Sequence, residues 1–306
     1  MNYVQLYQAI QDYSENTESL FVSNIPLFVK EAEERIYNSV QIPALRKNVT
    51  GNLTSGSKYL SCPDDYLATY SIAVINGTTG AYSYLLNKDV NFIREAYPTP
   101  TSTGTPKYYA LFGSQYSNAN ELSFILGPTP DSAYSTELHY FYYPVSIVQG
   151  AVSGSGTITG GSLYTNGTYN NVALSGGSGS GVYADIVVSG QTVTSVTIKN
   201  GGSFYVIGDQ LTCPSSSIGG SGSGFLSTIT SIDNVQGTSW LGDNYDPVLL
   251  YGAMREAMLF MKGEQDLVKY YEDKYTEALM QLNRLGTGLE RGDAYRDGQA
   301  RIPVNP

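Results

Sequence analysis

Gly160-Gly-Ser-Leu-Tyr164 and Gly201-Gly-Ser-Phe-Tyr205 are near-copies at an offset of 41 residues (205 − 164). A second pair, Ser175-Gly-Gly-Ser-Gly-Ser-Gly181 and Ile218-Gly-Gly-Ser-Gly-Ser-Gly224, repeats at an offset of 43 (218 − 175). Between and after them lie Tyr183–Val188, Val193–Lys199 and Phe225–Ile232, each strand-like. Strand, Gly-rich turn and strand, twice over, predict an all-β domain with two related halves across residues 147–236. A flexible Gly/Ser linker is the alternative. Ala184-Asp-Ile-Val-Val188 and Ser195-Val-Thr-Ile-Lys199 weigh against it, because their β patterning needs a packed surface.

Outward from this segment the pattern turns helical on both sides. Tyr3, Leu6, Tyr7, Ile10 and Tyr13 fall on one helix face, and Ile25, Phe28, Val29, Ala32 and Ile36 on another. The second run has Ser23-Asn24 as candidate caps and Pro26 in its first turn. The short link from Thr17 to Val22 predicts an antiparallel helix pair. Near the other end, Leu250, Met254, Ala257, Met258 and Met261 form a stripe closed by Lys262-Gly263. Leu267, Tyr271, Tyr275, Ala278, Leu282 and Leu285 form another, ended by Gly286. Residues 287–306 show no period and read as an extended arm.

Between residue 40 and residue 146 the signals are strands and turns: Lys58–Pro63, Tyr66–Ile75, Glu121–Leu126 and Glu137–Tyr143, with a strong turn cluster at Gly127–Asp131. These predict a small antiparallel sheet beside the helices. The expected fold class is therefore α+β: a helical body of two helical hairpins plus a small antiparallel sheet, with an inserted all-β domain. The body is discontinuous, residues 1–146 and 237–306, and the β domain of 147–236 is inserted at an exposed loop.

Charged residues make up 14% of the chain and hydrophobic ones 41%, which provides a core but a charge-poor surface. With 27 tyrosines, such a surface suits protein contacts, since Tyr offers wide contact at low entropic cost. A net charge of −10 argues against wrapping nucleic acid. It remains compatible with a channel that DNA passes without sticking. Residues 1–16 show neither the basic nor the apolar region of a signal peptide, and no stretch reaches the ~18 apolar residues of a membrane span. The expected place of synthesis is the cytoplasm.

Residues able to carry chemistry are sparse. Cys62 and Cys213 form neither a disulfide framework nor a zinc cluster and read as buried thiols. His139, the single histidine, sits in an alternating aromatic run and reads as a strand residue with no Ser-His-Asp set around it. The Gly-rich blocks lack the Lys-Ser/Thr of a phosphate loop. Glu31, Glu33 and Glu34 read as the solvated side of a helix, and Asp64-Asp65 as a helix N-terminus. Asp185, Asp209 and Asp233 are isolated and not spaced as calcium ligands. The expectation is no enzyme, with no catalytic, cofactor-binding or metal residues and no cofactor.

One linear order of motifs is fairly specific. Ile25-Pro26 and Glu31-Ala-Glu-Glu-Arg-Ile36 come first. Cys62-Pro-Asp-Asp-Tyr-Leu67, Phe92-Ile-Arg-Glu-Ala-Tyr-Pro98 and Gly104-Thr-Pro-Lys-Tyr-Tyr-Ala110 follow. Then come Gly127-Pro-Thr-Pro-Asp131, Leu138-His-Tyr-Phe-Tyr-Tyr-Pro144 and Trp240-Leu-Gly-Asp-Asn-Tyr-Asp-Pro-Val-Leu-Leu-Tyr-Gly252. Over roughly 1–146 and 237–290 the chain resembles the head-to-tail adaptor proteins of tailed phages. The stretch 147–236 is similar to Gly-rich β repeats of phage structural proteins.

The resemblance implies a virion structural protein, assembled in the host bacterial cytoplasm and placed at the head–tail junction. It implies a homo-oligomeric ring, typically dodecameric, between the portal protein and a tail or nozzle protein. Genomic DNA would pass through its channel without sequence-specific binding, and no membrane is involved. The arm of 287–306 would dock on the portal, and the 147–236 domain would meet tail fibres, capsid or host glycans. The competing expectations are a glycan-binding or cell-wall-degrading tail component and a tail or capsid decoration protein.

Overall fold

Helix and strand alternate in blocks along the computed structural model, which describes residues 1–99, 101–113 and 122–297, with side chains only to residue 286 within the last stretch. The chain opens with α1 (Tyr3–Ser14) and α2 (Ser19–Ser39), followed by a 3-10 turn at Pro43–Leu45. Next come β1 (Arg46–Asn52), β2 (Tyr59–Ser61), β3 (Tyr66–Ile75), β4 (Tyr82–Tyr84) and β5 (Leu86–Asn87). Then follow α3 (Val90–Ala96), β6 (Tyr108–Phe112), β7 (Ser123–Gly127) and β8 (Ser135–Tyr142). The Gly-rich region forms β9 (Ala151–Tyr164), β10 (Gly167–Ala173), β11 (Ser180–Ser189), β12 (Thr192–Ser203), β13 (Gln210–Leu211), α4 (Ser215–Ile218) and β14 (Gly220–Asp233). The last elements are α5 (Trp240–Asn244), α6 (Asp246–Phe260) and α7 (Gln265–Asp297).

Two compact units emerge: Met1–Val40 with Val145–Pro306, and Gln41–Pro144. In the second unit, β1-β8-β3-β4 form one four-stranded sheet and β2-β7-β6-β5 another. All pairs are antiparallel except β5 with β6. Ile72 and Val74 of β3 and Leu138 and Tyr140 of β8 share a core with Tyr109 of β6 and Phe124 and Leu126 of β7. That shared core makes the two sheets a sandwich. Ile93 of α3 packs with Ala110 and Ile125.

The expected fold class is thereby corrected. A helical body with one small sheet does not describe this chain, which is 38% strand against 32% helix, with four separate sheets among the described residues. The helical stripes were easy to read because they are long and amphipathic. Much of the sheet content lies in strands whose apolar pattern is weak. Arg46–Asn52 is exposed at nearly every position, and it is a strand because its whole length pairs with β8.

In the first unit, α6 is the common neighbour of α1, α2 and α7. An Asn2–Gln5 capping box starts α1, each side chain accepting from the other's backbone N–H at 2.9 and 3.0 Å. Tyr3, Leu6 and Ile10 point inward from it. Helix α2 begins at Ser19, so Pro26 lies two turns inside rather than at the start. Ser23 and Asn24 donate back to the Leu20 carbonyl at 3.0 and 2.7 Å instead of capping. Burial of Phe21, one turn before Ile25, carries the helix through the proline despite the donor it lacks. At the far end, Gly286 does not stop α7, which runs to Asp297. Residues 287–297 of the expected arm are therefore helix, since glycine costs a helix only about 1 kcal/mol. The remaining arm residues, 298–306, lie outside the described residues.

The Gly-rich region builds two three-stranded sheets, β10-β11-β12 and β13-β14-β9. They enclose a core that includes Tyr164, Val182, Ile186, Tyr205, Phe225 and Ile229. The sequence repeat is a structural repeat. Strand β11 meets β12 with Ser180 opposite Ser203 and Val182 opposite Gly201. Strand β14 meets β9 with Ser223 opposite Ser162 and Phe225 opposite Gly160, the same register moved by the repeat offsets. Tyr164 N–H donates to Gln191 O at 3.1 Å, and Tyr205 N–H donates to Gly150 O at 3.0 Å. Gly161 and Gly202 take left-handed φ of 64° and 59°, and Leu163 and Phe204 take 66° and 65°. Strand β9 pairs with the last strand, β14, so the first and last strands of this region meet.

Candidate interaction surfaces

The titratable residues singled out from sequence are dispersed. His139 stands on β8, its Nδ1 3.2 Å from Ser71 Oγ and its Nε2 3.1 Å from Glu137 Oε1. Glu137 is also held by Tyr82 and Asn48, which keep its carboxyl below the usual range. Cys62 and Cys213 are buried free thiols in separate cores. Asp64-Asp65 occupy a turn before β3, not a helix N-terminus. Partial burial opposes ionisation of Asp65, but Lys47 Nζ at 2.5 Å and Tyr140 OH at 2.7 Å prevail and lower its pKa. Asp185 accepts from Asn171 N–H at 2.8 Å and pairs with Lys199 at 3.3 Å. Asp209 accepts from the Ser178 hydroxyl and N–H and from Val206 N–H, fastening a turn. Among the described residues no group of three or more His, Cys, Asp or Glu could hold a metal, and no helix is long and apolar enough to cross a membrane.

Glu33 departs from the sequence reading. It is not solvated but buried, and its Oε1 accepts from Ile147 N–H at 2.8 Å. Burial pushes its carboxyl up to about 7, against the pull of Ser146, Ile147 and Lys30. Its position was legible: residue 33 lies one turn after Val29, on the face already assigned to the core. The bond anchors the chain to α2 where it leads into β9.

A charged network ties the helices together. Arg35 of α2 reaches Glu256 Oε1 at 2.8 Å, and Arg255 reaches the same oxygen at 2.6 Å. Arg255 Nε also donates to Glu272 of α7. Glu256 is nearly buried, so two cations serve one shielded carboxylate. The helices also hold the β region. Phe204 lies 5.3 Å from the Tyr3 ring and 5.2 Å, edge-on, from Tyr7. Gly181 approaches α2 so closely that a Cβ there would sit 2.6 Å from Ser23 O.

Several large aromatic and aliphatic side chains stay exposed. Tyr82 and Tyr84 stack on the edge strand β4, and Tyr70 carries the Arg46 guanidinium 4.0 Å above its ring. Tyr13, Leu267, Tyr270 and Met280 are open on the helices. These are features of contact surfaces, and among the described residues no cleft gathers acid, base and nucleophile.

The family model described as SU10 adaptor protein matches residues 1–169, more than half of the chain. The chain belongs to the SU10 adaptor family. Membership makes it a phage adaptor protein, a structural part that interacts with other phage head or tail proteins. The match runs through α1 and α2, the whole Gln41–Pro144 sandwich and β9, and ends within β10. It does not extend to residues 237–290, the second stretch of the motif order. No curated protein matches this adaptor.

Proposed function

We propose that this SU10-family adaptor assembles as a homo-oligomeric ring, with twelve copies as the expected number, between the portal and a tail or nozzle protein at the head–tail junction. The family match over residues 1–169 carries this reading. The net charge of −10 supports a channel wall that genomic DNA passes without binding. The open tyrosines support broad protein contacts in place of a catalytic cleft. In this reading residues 1–146 and 237–306 constitute the adaptor body in sequence, with 147–236 inserted, and residues 287–306 contact the portal. Many equivalent weak contacts around a ring would add to a strong one. The inserted region is the proposed meeting point for tail fibres.

The test is the mass and symmetry of the purified chain, alone and mixed with its portal. A closed ring that forms on the portal is the expected result, and a chain lacking residues 287–306 should no longer join it. A stable monomer indifferent to the portal would overturn the proposal.

A further inference from the structure

The β region carries its helix-docking surface twice, and only one copy is covered. In the covered copy, Phe204 projects from a left-handed backbone position (φ 65°) against Tyr3 and Tyr7. Beside it, Gly181 (φ 82°) lies under the Ser23 carbonyl of α2, with Gly202 Cα 3.7 Å from where a Cβ would be. Ser203 between them is buried.

The internal repeat reproduces each part. Leu163 takes the place of Phe204 at φ 66°, and Gly224 the place of Gly181 at φ 84°. A Cβ on Gly224 would lie 3.6 Å from Gly161 Cα, as in the other copy, and would meet nothing else within 4 Å among the described residues. Ser162, the counterpart of Ser203, is exposed, and Leu163 is 60% exposed. A leucine at positive φ is strained, and here the strain aims an apolar side chain at solvent.

We infer that the Ser162–Leu163–Gly224 surface is a second helix-docking site, whose occupant is a partner-protein helix bearing aromatic side chains one turn apart. The covered copy states the chemistry. In it α1 supplies Tyr3 and Tyr7, at i and i+4, to Phe204, while the backbone of α2 at Ser23 lies over the bare Gly181. Ser162, its strand partner Ser223 and the adjoining Gly224 carry no charge, so apolar and aromatic contact to Leu163 supplies the attraction.

The probe is a peptide of residues 2–14, held helical by a staple between positions 8 and 12, its helicity checked by circular dichroism. It is titrated into the full-length chain and into Leu163→Asp and Ser162→Arg variants, with thermal melts confirming that both variants fold. Saturable binding that falls about tenfold or more in both variants is the expected result, about the loss of one buried apolar contact. Absence of saturable binding overturns the inference. Binding equal in all three proteins overturns it too, because the peptide would then be exchanging with α1 at Phe204. A wild-type chain that dimerises through this surface while Leu163→Asp stays monomeric assigns the site to a second copy and also overturns it.

Discussion

Gly160 and Gly201 are each other's counterpart across the two crossing halves of the β region. A Cβ on Gly160 would fall 2.6 Å from Val193 O, and one on Gly201 would fall 2.5 Å from Val152 O. Val193 and Val152 are themselves separated by the same repeat offset. The repeat is thus a contact between two backbones that only glycine permits, made once from each side.

Replacing Gly201 by valine forces β12 away from β9. Overpacking of this kind costs about 1–3 kcal/mol, so the melting temperature should drop by several degrees. Gly77→Ala is the control, since a Cβ there meets nothing and its backbone is not left-handed. Equal melting temperatures for Gly201→Val and the wild type would refute the close approach.

Glu33 makes stability depend on pH. Burial raises its folded pKa from 4.5 to about 7, so the folded chain holds this proton where the unfolded chain has lost it. Stability from this group is present below about 4.5 and declines as pH rises through about 7. The wild type minus Glu33→Gln difference should therefore shift by roughly 2–3 kcal/mol against the wild type between pH 4 and pH 8. Denaturant unfolding at several pH values measures it, and parallel curves for the two proteins would contradict the buried carboxyl.

Arg255 compensates Glu256 and reaches Glu272, so Arg255→Met strands a shielded carboxylate. A loss of about 3 kcal/mol is expected, less what Arg35 still supplies. Adding Glu256→Gln should recover part of it, because the uncompensated charge is then gone. A double variant no better than the single one would place the damage elsewhere.

The two cysteines should be silent in the native chain. Burial pushes Cys62 up to about 12 and Cys213 to about 11, so neither offers thiolate at pH 8. A thiol reagent should label no site quickly in the folded protein and both in denaturant. Rapid labelling of one site under native conditions would show that its core opens.

Local signals read well where one element carries its own evidence. Tyr66–Ile75 was expected as a strand and is β3, and the α1 face Tyr3, Leu6 and Ile10 is buried as its spacing predicts. Reading failed where a distant partner decides. Arg46–Asn52 has no alternating pattern and becomes a strand through β8. Pro26 reads as a helix start and Gly286 as a stop, and the helix runs through both, at Pro26 because Phe21, ahead of it, finds a core. Glu33 looked solvated because acids on helices usually are, although its spacing from Val29 pointed inward.

The sequence alone determined the twofold repeat, the amphipathic faces of the helices and the turn-rich strands, all set by contacts within a few residues. Tertiary structure decided which copy of the repeat meets a helix, leaving Phe204 against Tyr3 and Tyr7 and Leu163 in solvent. It also decided that Glu33 would be buried and that strand would outweigh helix. Burial and strand pairing depend on which distant segments meet, and the two repeats spell nearly the same local conformation whichever way they face.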